Sequence, residues 1–129
     1  MKKWQINELL WFLKADTNLT PIFWANVFYW LPYTEPSATF LSFNILANKK
    51  KGCYHTDLLE FKIVWSLSVT ENIVMKEYLD KLEDTLNKNN KALGTLQSLV
   101  IQSLNDEYLW INKKERKEMV KSFSVSYVV

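Results

Sequence analysis

The sequence predicts an α+β fold, in which a mostly antiparallel sheet of about four strands has helices packed on it. The first observation is the segment 58–69, where apolar residues alternate with residues that are mostly polar. A period of two belongs to a strand with one face on a core. The second is the helical spacing of apolar residues over 71–88, directly after that strand. The third is the alternating segment 122–129 at the end of the chain.

Length and composition narrow the classes of protein to which the chain can belong. Its 129 residues predict one domain, residues 1–129, and 48% apolar residues predict an ordered core. Two glycines leave little room for a glycine-rich phosphate loop, and a formal charge of +2 is too small to indicate a nucleic-acid-binding protein. The one cysteine, Cys53, excludes an intrachain disulfide framework and fits a reducing compartment. We expect neither a signal peptide nor a membrane span, because the apolar runs are too short.

The first quarter of the chain predicts two helical segments. Apolar residues at helical spacing predict a first helix over 5–14. Thr20 then resembles an N-cap with Pro21 at the first helical position. This pair predicts a short helix or turn that continues through Phe28.

Two strands are predicted in the middle of the chain, at 39–48 and 58–69. The polar loop 49–56 connects them, and an antiparallel hairpin is the simplest topology. In the second strand the alternation separates a buried face from a face directed at solvent or a neighbouring subunit. The buried residues are predicted to be Phe61, Ile63, Trp65 and Leu67, and the outward ones Glu60, Lys62 and Ser66.

The helix over 71–88 is predicted to be amphipathic. Ser68 and Glu71 match a capping box, which marks a helix start. One side of the helix is apolar and the other carries acidic residues interleaved with lysines. We expect these carboxylates to be solvated rather than to form a catalytic acid pair. They are Glu77, Asp80, Glu83 and Asp84.

The last third of the chain gives a mixed signal. Residues 93–104 fit either a helix or a strand, and 107–111 predict a short strand. The charged segment 113–121 predicts a turn or loop. The alternating segment 122–129 predicts a final strand, which must be paired into the sheet because an unpaired terminal strand would fray.

Cys53 and His55 are the residues that most resemble a chemical site. Zinc would need two or more further ligands, and the sequence has no other cysteine or histidine. A catalytic Cys–His pair would need a third group to orient it. We therefore predict no catalytic, cofactor-binding or metal-binding residues and no enzymatic activity.

Lys49, Lys50 and Lys51 form the one purely basic run of the chain. The simpler interpretation is a hairpin tip in solvent. The alternative is a contact with phosphate or DNA.

The aromatic segment 23–30 is the richest in the chain. Packing in a core explains part of it, but one small domain cannot bury six Trp, six Tyr and seven Phe completely. Excess aromatic area is typical of partner surfaces, and we favour self-association over a ligand pocket. The residues predicted to lie at a subunit interface are Phe23, Trp24, Phe28 and Trp30.

The order of elements resembles that of the tail-terminator and tail-completion proteins of long-tailed phages. The similarity covers nearly the whole chain and is one of element order rather than of a signature motif. It runs from the N-terminal helix through a strand TFLSFNIL and a long strand FKIVWSLSV. The helix EYLDKLEDTL, a short strand, a charged connector and the terminal strand SFSVSYVV follow.

The resemblance implies a virion structural protein made in the host cytoplasm. Its subunits would form a six-fold ring at the neck, which caps the tail tube and meets the head connector proteins. Lys49, Lys50 and Lys51 would then touch a neighbouring subunit or passing DNA. The sequence departs from the family in having Thr20-Pro21 where a glycine turn is common, and in its dense aromatic segment. The alternatives are a small α+β interaction module, such as an adaptor or inhibitor, and an enzyme with an unrecognised site.

Overall fold

The computed structural model describes residues 1–30, 32, 34–66, 72–88, 92–93, 96–111 and 114–128. The helices are α1 (Lys3–Ala15), α2 (Thr20–Phe23) and α3 (Asn72–Lys88). The strands are β1 (Val27–Tyr29), β2 (Phe40–Lys51), β3 (Tyr54–Val64), β4 (Ala92–Leu93), β5 (Leu96–Ile111) and β6 (Lys117–Val128).

The described strands form one six-stranded sheet in the order β1-β2-β3-β6-β5-β4. Every neighbouring pair is antiparallel except β1 and β2, which are parallel. The predicted α+β fold with a mostly antiparallel sheet and a β2–β3 hairpin is therefore confirmed. The sheet is larger than the four strands expected, because two very short strands are added at its outer sides.

One face of the central strands is buried under the helices. Leu59, Phe61 and Ile63 on β3 are almost fully buried, as is Trp65 just beyond the strand. The Phe61 ring stacks on Phe43 of β2 at 5.4 Å and meets Phe123 of β6 edge-on at 5.3 Å. The predicted buried face is thus confirmed, except that Leu67 lies outside the described residues. The predicted outward residues are partly exposed: Glu60, Lys62 and Ser66.

Helices α1 and α3 are fastened to each other and to the sheet by polar contacts. Asp16 follows α1, where its carboxylate accepts from the Asn18 backbone N–H at 2.8 Å and from the Thr85 hydroxyl of α3 at 3.1 Å. Glu83 of α3 forms an ion pair with Lys121 of β6. The apolar side of α3 is buried as predicted, and its buried residues are Met75, Leu79, Leu82 and Leu86. The predicted capping box at 68–71 lies outside the described residues.

The prediction for the segment after Thr20 is wrong in two respects. Thr20 is the first residue of α2 rather than its N-cap, and its hydroxyl donates to the Asp16 carbonyl at 2.7 Å. The helix stops at Phe23, because Trp24 has a φ of 54° that no helix continues. The next residues become strand β1, since the Leu41 N–H donates to the Asn26 carbonyl at 2.9 Å and starts the parallel pairing with β2.

Three other segments predicted as loops or left ambiguous are strands. The predicted loop 49–56 belongs almost entirely to β2 and β3, and the ambiguous segment 93–104 leads into the long strand β5. The charged segment 113–121 contains the start of β6, at Lys117. The charges of this segment pointed to a loop, because the side chains that neutralise them in the folded protein lie in distant parts of the chain. Glu118 lies 3.8 Å from Lys62 of β3, and Lys121 pairs with Glu83.

Candidate interaction surfaces

The basic run lies on the end of a strand rather than in a loop. Lys51 pairs with Tyr54, so Gly52 and Cys53 alone form the turn between β2 and β3. Gly52 has a φ of 61°, which glycine adopts without penalty. Lys49, Lys50 and Lys51 are all exposed, and successive strand residues alternate between the two faces. The three lysines therefore surround the end of the hairpin and place positive charge on both faces of the sheet.

The outer edge of β2 is open near those lysines. Strand β1 pairs only with residues 41–43 of β2, and no described strand pairs with the same edge over 45–51. An open strand edge presents unpaired N–H and C=O groups that can pair with another chain, and lysines on an edge restrict which chain can do so. Leu46 is an exposed apolar residue in this stretch. The edge over 45–51 is called the β2 edge below.

A second open edge lies on the far side of the sheet. Strand β4 pairs only with Leu96 and Gln97 of β5, and no described strand pairs with the outer edge of β5 over 102–111. Leu109 and Ile111 in this stretch are exposed, Ile111 to 65%. This edge is called the β5 edge below. The sequence indicates a strand here only weakly, because Asn105 and Asp106 interrupt the apolar pattern.

The four aromatic residues predicted to lie at an interface occupy different places. Phe23 is fully buried in the core, and Phe28 is half-buried with its ring edge-on to Phe40 at 6.0 Å. Trp24 and Trp30 are 72% and 55% exposed. Trp30 also borders a recess of about 100 Å³ on the sheet face away from the helices, beside Ser42 and other polar residues. Only the two tryptophans therefore have the exposure that an interface needs.

Two further tryptophans on α1 were missed by sequence reasoning. Trp4 and Trp11 stand seven residues apart, on the side of the helix opposite to the buried Leu9 and Leu13. Trp11 is 74% exposed. The signal was present in the sequence, because neither tryptophan falls on the stripe of apolar residues that predicted the helix. An exposed pair of large aromatic side chains is typical of a partner surface.

Arg116 is a second residue that sequence reasoning missed. It is the one arginine among sixteen basic residues and is 7% exposed. Its guanidinium donates to the carbonyls of Trp65 at 3.0 Å, Pro36 at 2.6 Å and Ala38 at 2.9 Å. Its guanidinium also lies 5.2 Å over the Phe40 ring, where the planar group can stack as an ammonium cannot. Arg116 thereby holds the segment before β2 against the start of β6.

Cys53 and His55 lie in different surroundings. Cys53 is exposed in the turn, whereas the His55 ring stacks on Tyr127 at 5.4 Å. Among the described residues no three His, Cys, Asp or Glu side chains are arranged to hold a metal ion. No described helix is long and apolar enough to cross a bilayer.

Asp57, on the strand β3 that also carries His55, is fully buried. Asp57 on β3 accepts a hydrogen bond from the Tyr127 hydroxyl at 2.7 Å and another from the Asn48 amide, and the Met1 amino nitrogen lies 3.0 Å away. Burial, and then the hydrogen bond to Asp57, raise the pKa of Tyr127 well above its usual range. A pocket of about 380 Å³ opens beside this cluster, bordered by Ile45 and other residues. These polar groups are paired with one another, so the carboxylate of Asp57 is satisfied although it is buried.

The same fold occurs in a virus-like particle. The chain is similar to a chain of the "Virion of native gene transfer agent (GTA) particle", with a TM-score of 0.72 and 15% sequence identity. The alignment covers 99% of this chain and 100% of that chain. No protein-family model and no curated protein matches the sequence. At this identity the likeness establishes a shared fold over the whole length of both chains.

Proposed function

We propose that the protein is a non-enzymatic structural component of a phage-like virion. The observation that carries the proposal is the end-to-end similarity of its fold to a chain of a gene transfer agent virion. Neither chain has a large extra part in this alignment, so the similarity concerns the complete architecture and not a common sub-motif.

The surfaces of the subunit support assembly rather than chemistry. Exposed tryptophans occur in three places, on α1, after α2 and after β1. Two sheet edges have no partner among the described strands over much of their length. Surface of this kind is costly to leave in water and is usually buried against other subunits. A virion component buries it by joining copies of itself and other virion proteins.

Within the virion we propose a place at the neck, as a tail terminator or head–tail joining subunit. This finer role rests on the order of elements, which resembles that of the phage tail-terminator and tail-completion proteins. The subunits would form a closed ring, six-fold as in that family, with the tail tube protein on one side and head connector proteins on the other. Lys49, Lys50 and Lys51 would face a neighbouring subunit or DNA passing through the ring, through contacts that do not depend on sequence.

The place of the protein in purified particles tests this proposal. We expect cryo-electron microscopy of intact particles to show one ring of this chain at the junction of head and tail. Light scattering coupled to gel filtration would give the mass of any ring that forms in the free state. Absence from particles, together with a monomer that binds a cellular protein, would favour an interaction module such as an adaptor or inhibitor.

A further inference from the structure

We propose that the hairpin end of the sheet binds the phosphate backbone of duplex DNA, without regard to base sequence, through lysines from two distant parts of the chain. They are Lys2 and Lys3 at the start of α1 and Lys49, Lys50 and Lys51 at the end of β2. These five lysines are called the basic end below. This contact deepens the proposed function, because it names the partner of the lysines, and it rests on that function only for the source of the DNA.

The fold places the start of α1 beside the end of the β2–β3 hairpin. Lys2 and His55 border the same pocket, and His55 pairs with Lys50 across the hairpin. The Met1 amino nitrogen lies 3.0 Å from the carboxylate of Asp57, two residues beyond His55 on β3. The side chains of all five lysines are exposed. Two groups of lysines that are far apart in the chain therefore form one surface.

Acidic side chains are scarce around the basic end. Strand β2 contains none, and the acid of β3 nearest to the hairpin turn is Asp57, which is buried and already paired. The first acid of α1 is Glu8, which lies beyond the first turn of the helix. The segment 88–99, whose side chains the structure does not describe, contains two lysines and no acid. No acidic side chain of these segments therefore neutralises the exposed lysines.

Most of the described acids lie in other parts of the subunit. Helix α3 carries four of them, and its Tyr78 stacks on Trp65, just beyond the end of β3 that is farthest from the hairpin turn. Three more lie around Arg116 near that same far end. The seven are Glu77, Asp80, Glu83 and Asp84 on α3, and Glu35, Glu115 and Glu118 around Arg116. The formal charge of +2 is therefore small although the charges are separated, and a positive end of this kind attracts polyanions.

The basic end lowers the stability of the subunit rather than raising it. Lys2 is the N-cap of α1 and Lys3 its first residue, and the first turn contains no acid. Positive charge at a helix N-terminus opposes the helix dipole. Lys49 and Lys51 point to the same face of the hairpin, where their charges repel each other. Residues that break local rules without a gain in the fold are typical of functional sites, and bound phosphates would remove both penalties.

The composition of the basic end favours nucleic acid over an acidic protein surface. Lysine is depleted at protein interfaces, where arginine is enriched, and the one arginine of this chain, Arg116, is buried far from the basic end. Lysines contact phosphates as point charges and do not need the fixed geometry of a carboxylate pair. Exposed Tyr54 pairs with Lys51 and adds a hydroxyl that can donate to phosphate.

Fluorescence anisotropy of the purified protein with a short labelled DNA duplex tests this contact. We expect a Kd of about 10–100 μM at about 50 mM salt, equal for two duplexes of unrelated sequence. Three phosphate contacts give a salt slope of about −2.7, so the affinity should fall about 40-fold between about 50 and 200 mM salt. Absence of binding at about tenfold higher protein concentration would overturn the contact, and so would a clear preference for one of the two sequences.

Charge removal locates the binding surface. Lys49→Gln with Lys51→Gln should weaken binding at least about fivefold and reduce the salt slope by about one for each lost contact. Lys2→Gln with Lys3→Gln should do the same, because the proposal requires both groups of lysines. Binding that is unchanged in either pair would show that the two groups do not act as one surface.

Two further pairs are the matched controls. Lys76→Gln with Lys81→Gln removes the same charge from the exposed side of α3 and should leave the affinity within about twofold. Lys49→Arg with Lys51→Arg keeps the charge and should also leave it within about twofold. Circular dichroism and thermal melts check that every variant is folded. Equal losses from the α3 pair and from the basic-end pairs would attribute binding to net charge and overturn the assignment of the surface.

The results distinguish this contact from its alternative and from the proposed function. Binding of labelled poly-L-glutamate without binding of duplex DNA would identify an acidic protein as the partner and overturn the proposal. A neck protein that does not bind duplex DNA would overturn the contact and leave the virion role standing. Lysine-dependent DNA binding by a protein absent from virions would support the contact and count against the role.

Discussion

The middle of the sheet and its two edges follow different rules. Strands β3 and β6 are hydrogen-bonded on both sides, and their inner face is fully buried against α1 and α3. The β2 edge carries exposed lysines, both the β2 edge and the β5 edge carry exposed apolar side chains, and no described strand pairs with either of them. The middle of the sheet therefore contributes most to the stability of the subunit, while the edges provide surface for assembly. Substitutions in the middle of the sheet should accordingly change the free energy of unfolding, and substitutions at the edges should change association.

The largest expected effect is the loss of a central aromatic ring. Phe61→Ala should lower the free energy of unfolding by about 3–5 kcal/mol, because it removes a fully buried side chain that contacts Phe43 and Phe123. Denaturant melts measure the change. Glu60→Ala, next to it on the half-exposed face, is the matched control and should cost far less. A cost below about 1 kcal/mol for Phe61→Ala would contradict the assignment of the buried face.

The second largest loss of stability is expected at Arg116, although it is a charged residue. Arg116→Ala should cost about 3 kcal/mol, since several buried carbonyls lose a charged donor at once. Arg116→Lys should recover only part of this, because an ammonium cannot reach all three carbonyls and the Phe40 ring together. Lys114→Ala removes a neighbouring, exposed partner of Glu35 and should change stability by less than about 1 kcal/mol. Equal losses of stability from Lys114→Ala and Arg116→Ala would show that the hydrogen bonds of Arg116 have no special role.

Tyr127 should make folding sensitive to alkaline pH. Its pKa is raised in the folded protein, so the protonated form is the one that folding favours. Its contribution is complete below the ordinary tyrosine pKa of about 10 and is lost as the pH rises from there towards the raised value. Unfolding measured across this pH range should show the loss, and tyrosinate absorbance should show one tyrosine that ionises late. Tyr127→Phe should remove both signals, and their persistence in that variant would place their origin elsewhere.

The smallest effect is expected at the end of the hairpin. Cys53→Ala combined with His55→Ala should change stability by about 1 kcal/mol or less, since Cys53 is exposed and His55 contributes mainly its stacking on Tyr127. Assembly should be unaffected, and zinc content measured on the purified protein should be negligible before and after. Stoichiometric zinc that disappears in the double variant would give this turn a chemical role.

The sequence by itself determined the elements that are regular and one-sided. Helix α1, helix α3, the β2–β3 hairpin and the buried face of β3 follow from spacing alone, because a period of two or of 3.6 residues depends only on which face meets a core. The exposed Trp4 and Trp11 could have been found in the same way, as aromatic residues that fall off the buried stripe.

Tertiary structure decided the elements whose stability depends on distant partners. Val27–Tyr29 is a strand because β2 is beside it, and Lys117–Lys121 is strand because Lys62 and Glu83 neutralise charges that would otherwise exclude it from a sheet. Arg116 is buried because carbonyls more than fifty residues away in the chain surround it. The open edges, too, exist only once the strand order is set. Such partners are far apart in the chain, so no local pattern of residues records them, and the sheet edges that lack a described partner become visible only in the folded subunit.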